Sequence, residues 1–226
     1  MILGSLTSGR LEVLSGISPR SAAVAAYGAA ALNLVAALAM LLLLKPGLPV
    51  EGSLLENRIA YLHLHRGLWW AGWLSWHAAA ISLIAFYIGF AAVAARSSPL
   101  LRILALLCAV AGLAADLAAE AIYMGLAPEI GSLNFPSVER AAGLLTGYLG
   151  NGLYALAGIL LVFAAARDLP PLLVWLSVPL WSAALGLSAA TLAGSTRGQF
   201  WSTALLMPLF IVWTWLVGRW LSTRES

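Results

Sequence analysis

Charge is scarce in this sequence. Of its 226 residues only 9% are Asp, Glu, Lys or Arg, where a water-soluble domain carries roughly 25%. There are too few charged side chains to cover a surface facing water, which excludes a soluble globular enzyme. Histidine is nearly as sparse, at three residues, too few for the His-rich di-iron sites of membrane desaturases and hydroxylases. The single cysteine, Cys108, excludes an intrachain disulfide. Set in an apolar run, it reads as a small buried hydrophobe. Eleven of the twelve basic residues are Arg, scattered singly, so no basic cluster marks a nucleic-acid interface.

What fills the sequence instead is apolar: 62% of it is hydrophobic. A bilayer core about 30 Å thick needs roughly 20 apolar residues in a helix, and six segments qualify: about 21–44, 68–95, 101–126, 141–166, 171–193 and 200–221. Lys45-Pro46, Arg96-Ser-Ser-Pro99, Ala127-Pro128, Arg167 to Pro171 and Gly194 to Arg197 punctuate them with helix-ending residues. The expected fold is an all-α six-helix bundle spanning a membrane, one domain over residues 1–226. Residues 1–20 are mixed and polar, so the first span is expected to serve as an uncleaved targeting signal.

The bases set an expected orientation. Arg10, Arg20, Arg96, Arg102, Arg167, Arg219 and Arg224 fall on one side, against Lys45, Arg58, Arg66, Arg140 and Arg197 on the other. Seven against five places both termini in the cytoplasm. The longest loop, about 45–67, carries Ser53-Leu-Leu-Glu56 at capping-box spacing, predicting a helix capped by Ser53. Leu55, Ile59 and Leu62 then share one face opposite Glu56 and His63, as in an amphipathic helix lying on the membrane surface. Ser137, just after Pro136, is expected to cap the fourth span. Ten tryptophans, several at span ends, read as interfacial anchors. The partners expected are therefore membrane lipids and a larger assembly or second copy, not nucleic acid.

A few polar residues inside the apolar runs are the candidates for chemistry. Asp116 and Glu120 stand four apart in the third span, on one helical face. An acid at the centre of a spanning helix costs about 2.5–3.5 kcal/mol on insertion scales, so the pair is expected to face the bundle interior. Two uses stand open: a proton or cation site, or a structural acid bonded to a neighbouring helix. His77, in the second span, reaches the pair if the two helices pack together, and a His–carboxylate pair suits proton transfer near neutral pH. Ser75 lies beside it, yet no nucleophile-elbow motif supports a serine triad. In the fourth span Asn151, Tyr148 and Tyr154 are the supporting polar groups, with Asn151 expected to bond toward Asp116 or Glu120. Gly143 and Gly147 have small-residue packing spacing. Pro179 and Pro208 interrupt the last two spans, Pro208 kinking or breaking its helix.

No cofactor is expected. His63 and His77 are fourteen apart, a spacing that can serve two haems, but no other span offers a histidine as the second axial ligand, and Met124 and Met207 are the only substitutes. A metal held by Asp116, Glu120 and His77 stays open.

Three stretches, Asn57 to His63 with Leu68 to Trp76, Ala115-Asp116 through Tyr123 to Pro128, and Asn151 to Gly158, follow one another in an order that resembles a group of bacterial multi-pass membrane proteins. The resemblance covers about residues 57–158. It implies a bacterial inner membrane and assigns no reaction and no site residues. Three functions follow from the residues: a small carrier or proton/cation-coupled protein using the carboxylate pair, a non-catalytic accessory subunit of a larger membrane complex, and a metal-dependent intramembrane lipid hydrolase. Known intramembrane lipid amidases use more histidines than these spans hold, so the hydrolase ranks last; the carrier is the leading expectation.

Overall fold

A computed structural model describes residues 16–95 and 98–225. Arg10 and Arg96 lie outside the described residues. The described residues form helices and no strand. Six helices are long and apolar enough to cross a membrane: α1 (Pro19–Gly47), α3 (Arg66–Val93), α4 (Pro99–Glu129), α5 (Phe135–Ala165), α6 (Pro171–Leu192) and α7 (Thr196–Ser222). The shorter α2 (Leu55–Leu64) precedes α3. The chain is thus a polytopic membrane protein. The side chains on the bundle's outer face agree with that: Leu42, Phe163 and Trp175 are each more than 70% exposed, tolerable against acyl chains and not against water.

The six spans close into a ring. α1 packs on α3, α3 on α4, α4 on α5, α5 on α6, α6 on α7, and α7 returns to α1. Small residues make the tightest seams. On α1 a stripe of Ala22, Ala26, Ala29 and Ala36 is buried, and a Cβ added at Gly89 of α3 would stand 3.0 Å from the Ala22 Cα. Backbones come this close because helices in lipid associate through packing rather than through escape from water.

The helix termini differ in part from expectation. Ser18 caps α1, accepting from the Ser21 N–H at 3.1 Å, and Ser195 caps α7 through the Gly198 N–H at 3.1 Å. Ser53 caps nothing. Its hydroxyl turns back to donate to the Val50 carbonyl at 2.7 Å, and α2 starts two residues later with Leu54 as its uncapped N-cap. The amphipathic pattern of α2 nevertheless holds, with Leu62 buried, Leu55 and Ile59 half-buried, and Glu56 and His63 exposed. Ser137 is not a cap either, because α5 begins at Phe135, with Pro136 in its first turn. There the missing N–H of a proline does no harm. Pro208 does not break α7, which runs unbroken through it.

Three of the spans contain a π turn: Met40–Leu44 in α1, Ile122–Leu126 in α4 and Leu144–Gly150 in α5. All three lie in the half of the bundle nearer α2. A π turn shifts the hydrogen-bond register and leaves backbone groups for other partners. Each turn here has a carbonyl that takes a side-chain donor. The Tyr61 hydroxyl of α2 donates to Leu43 O at 2.5 Å, the Trp69 and Trp70 indoles of α3 donate to Tyr123 O at 2.7 Å and Met124 O at 3.0 Å, and the Asn151 amide donates to Thr146 O at 3.0 Å.

Arginines close the same end. Arg58, itself buried, forms an ion pair with the part-buried Glu139 and donates through Nε to Gly47 O at 3.2 Å. Burial pulls its guanidinium below the ordinary arginine range, yet an arginine keeps its proton at any working pH. Arg140 donates to the Thr191 and Leu192 carbonyls at 2.6 and 2.7 Å, satisfying the C-terminus of α6. These bonds tie α2 to α5 and α5 to α6 at one end. At the other, Arg224 donates to Asp168 O at 3.2 Å.

Candidate functional site

The centre of the ring is not filled. A cavity of about 80 Å³ lies among the spans, and each span puts a side chain on its wall: Asn33 from α1, Trp76 from α3, Asp116 from α4, Tyr154 from α5, Trp181 from α6 and Phe210 from α7. In that measure a water needs roughly 10–15 Å³, so there is room for about five. Asn33 and Asp116 both fall near the middle of their helices, which puts the cavity at mid-depth in the bilayer.

Asp116 reaches this wall because α4 buries the face bearing Ala105, Ala109, Gly112 and Ala115. Small residues there let α5 approach closely. A Cβ at Gly112 would meet the Tyr154 ring at 3.0 Å. The approach brings two donors to the carboxylate. Thr146, within the π turn of α5, donates its hydroxyl to Asp116 Oδ1, and Tyr154 donates to Oδ2 at 3.4 Å. Both donors are neutral. Among the described residues no Lys, Arg or His lines the cavity, so this carboxylate has no counter-charge from the chain's own wall.

Glu120, one turn along α4, points elsewhere. It is 2% exposed, and its Oε2 lies 2.6 Å from His77 Nδ1 on α3. A contact that short has a proton between the two atoms, on one partner or the other. His77 is 37% exposed and sits at the seam between α3 and α4, away from the cavity wall. The three predicted groups therefore form two adjoining stations: Asp116 with α5 in the cavity, and Glu120 with His77 at the bundle's flank. The expected i,i+4 face is real, but neighbouring helices on opposite sides pull its two carboxylates apart.

The supporting residues divide likewise. Tyr154 is at the site. Asn151 lines the cavity, but its amide donates to Thr146 O within its own helix rather than to either acid. Tyr148 is exposed, because the widened turn around it presents it outward. Ser75 spends its hydroxyl on Gly72 O at 2.6 Å. His63 and His65 are exposed on α2 and at its end. Among the described residues, no three His, Cys, Asp or Glu side chains form a group that could hold a metal ion. The carboxylate–histidine trio lacks the convergence a metal needs.

Sequence reading missed Asn33, Thr146 and Trp181. Asn33 left a usable signal, the one amide in an Ala/Leu-rich span. Its Nδ2 donates to Ala29 O at 2.9 Å, leaving Oδ1 as the group not used in that bond. Trp181 left none. It is 6% exposed, packs its ring where a Cβ at Gly158 would come within 2.2 Å, and has no acceptor for its indole N–H. The indole N–H of Trp76 is likewise buried without an acceptor.

No protein family, curated protein or solved structure matches this chain. The reading of function therefore rests on the site.

Proposed function

We propose that this protein is a small proton- or cation-coupled carrier of a bacterial inner membrane, with both termini cytoplasmic. One observation carries the reading: Asp116 opens at mid-depth into a cavity walled by all six spans and receives only neutral donors. A carboxyl group in that setting is stable either with its proton or with a cation brought to it. Alternation between the two is the elementary step of coupling. Glu120 and His77 offer the next station, since their short contact holds a proton one helical turn from Asp116. The route then runs from the cavity through Asp116 and Glu120 to the flank of α3.

The seven-to-five distribution of bases supports the orientation, placing α2 and the three π turns on the extracytoplasmic side. The absence of a three-donor cluster among the described residues weighs against the metal-dependent hydrolase.

The test is reconstitution into vesicles with a trapped pH indicator, followed by addition of monovalent cations outside. Wild-type vesicles should acidify or alkalinise with the cation gradient. Asp116→Asn should reduce the flux to that of empty vesicles while the purified variant melts as wild type. Glu120→Gln should slow the flux and alter its pH profile. An undiminished flux in Asp116→Asn would overturn the reading.

A further inference from the structure

We propose that the mid-depth cavity is a binding site for a small methyl-substituted ammonium ion, paired with Asp116 and surrounded by aromatic rings. The inference deepens the carrier reading by naming the class of cation, and for its biological use it rests on that reading.

Four features of the wall select this chemistry. The first is charge: one carboxylate, with no basic side chain on the wall among the described residues, leaves a single negative site to be balanced. The second is the ring content. Trp76, Tyr87, Tyr154, Trp181 and Phe210 all line the cavity. Tyr87 spends its hydroxyl on Tyr154 O at 2.9 Å, so its ring is what it offers. A wall with this many rings beside a carboxylate suits an alkylated cation, which a ring face attracts through its quadrupole.

The third is the state of the amides. Asn33 and Asn151 each commit Nδ2 to a backbone carbonyl. A carbonyl accepts only, so the bond fixes which end of the amide is oxygen. Each amide then has its Oδ1 left over, an acceptor suited to a positive ligand. The fourth is the remainder of the wall, which includes Ala80, Leu83, Ala184 and Leu206. Hard inorganic cations demand a nearly complete shell of oxygens, whereas methyl groups pack against such side chains. Space for several waters admits a compact ion and not a long-chain one. The buried indole N–H groups of Trp76 and Trp181, which have no acceptor in the chain, are donors that water sharing the cavity would satisfy.

The experiment uses the full chain in detergent micelles, with tryptophan fluorescence and calorimetry as readouts. Tetramethylammonium chloride is titrated against sodium chloride at matched ionic strength and against tert-butanol, an uncharged molecule of similar shape. Tetramethylammonium should saturate the signal, and the other two should not. Asp116→Asn should weaken binding at least about tenfold, and Phe210→Leu, which keeps apolar bulk and removes a ring, about threefold to tenfold. Should Asp116→Asn fail to fold, Phe210→Leu and the contrast with tert-butanol still decide the matter. No saturation up to roughly 50 mM, saturation by sodium in its place, or equal affinity for tert-butanol overturns the site. So does unchanged affinity in the variants. Failure of ammonium binding with intact Asp116-dependent proton flux in vesicles overturns the ammonium site alone. Asp116-dependent binding without flux overturns the carrier reading and leaves the site standing.

Discussion

At the end of the bundle that carries α2, three spans open into π turns, and side chains from neighbouring elements or from the same helix fill the carbonyls. At the end that carries the termini, the same spans are plain α-helix, and the contacts are rings and alanines. Phe86, Phe90 and Trp213 meet edge to face or stacked at centroid distances of 5.8–5.9 Å, with Ala22, Ala91 and Ala94 fully buried beside them. The two ends resist change differently. Interlocked rings and methyl groups have one good arrangement, and small shifts lose contact outright. Hydrogen bonds from the part-buried Tyr61 and the exposed Trp70 to backbone carbonyls can be exchanged for water with modest net change, whereas the buried Trp69 bond and the Trp73–Tyr123 ring stack beside it stay fixed. At the π-turned end the outer layer of Tyr61 and Trp70 is therefore the part that rearranges most readily, and the cavity lies between the two ends.

The largest expected effect is at the α2 end. Arg58→Ala leaves the part-buried Glu139 without its partner and should destabilise the protein by about 1.5–3 kcal/mol, read as thermal melting in detergent. Hydrogen exchange should speed up in α2 and in the Ile122–Leu126 turn and stay slow around Trp213. Equal loss of protection at both ends would erase the distinction drawn here. Next comes Gly158→Ala, on the ring-packed side. Its methyl would stand 2.2 Å from the Trp181 ring, an overpacking expected to cost about 1–3 kcal/mol, with exchange raised along the α5–α6 seam and the ring displaced toward the cavity it lines. Trp69→Phe removes one indole bond to the α4 π turn and should lower stability by only about 0.5–1.5 kcal/mol, with local exchange at Tyr123 and Met124 as the sharper readout. Smallest is Gly143→Ala. Only the Tyr123 hydroxyl, at 3.8 Å, lies near its added methyl, so melting should stay within about 0.5 kcal/mol of wild type or rise slightly. A large loss there would mean that α5 packs more tightly at the α2 end than its open turn implies.

The last prediction bears on how much the sequence could tell. Gly143 and Gly147 form one motif on paper, but a Cβ at Gly147 would meet the Thr191 side chain at 2.7 Å while Gly143 stands free. Spacing marks which residues share a face, and the intervening π turn alters that face after Gly143. The same turn defeated the placement of Tyr148 and gave Thr146, which no motif marked, a place on Asp116. Asn151 satisfies its amide locally, since a carbonyl freed in its own helix lies nearer than an acid on another. The Arg58–Glu139 pair left only a partial signal, since both residues flank spans at the same end of the bundle, yet nothing in spacing says which of several charges there will meet.

By itself the sequence determined that this chain lives in a bilayer and crosses it six times, because run length against bilayer thickness is a local property that no partner can alter. It also determined that Asp116 and Glu120 share a helical face turned from lipid, since burying a carboxyl in acyl chains is costlier than any alternative packing. The tertiary structure alone decided that six spans close into a ring around a cavity, that Asp116 turns to Thr146 and Tyr154 while Glu120 turns to His77, and that one end is knitted through π turns. Those outcomes depend on which helices become neighbours and how closely their small residues let them approach, and that is a property of surfaces meeting in space rather than of any stretch of chain.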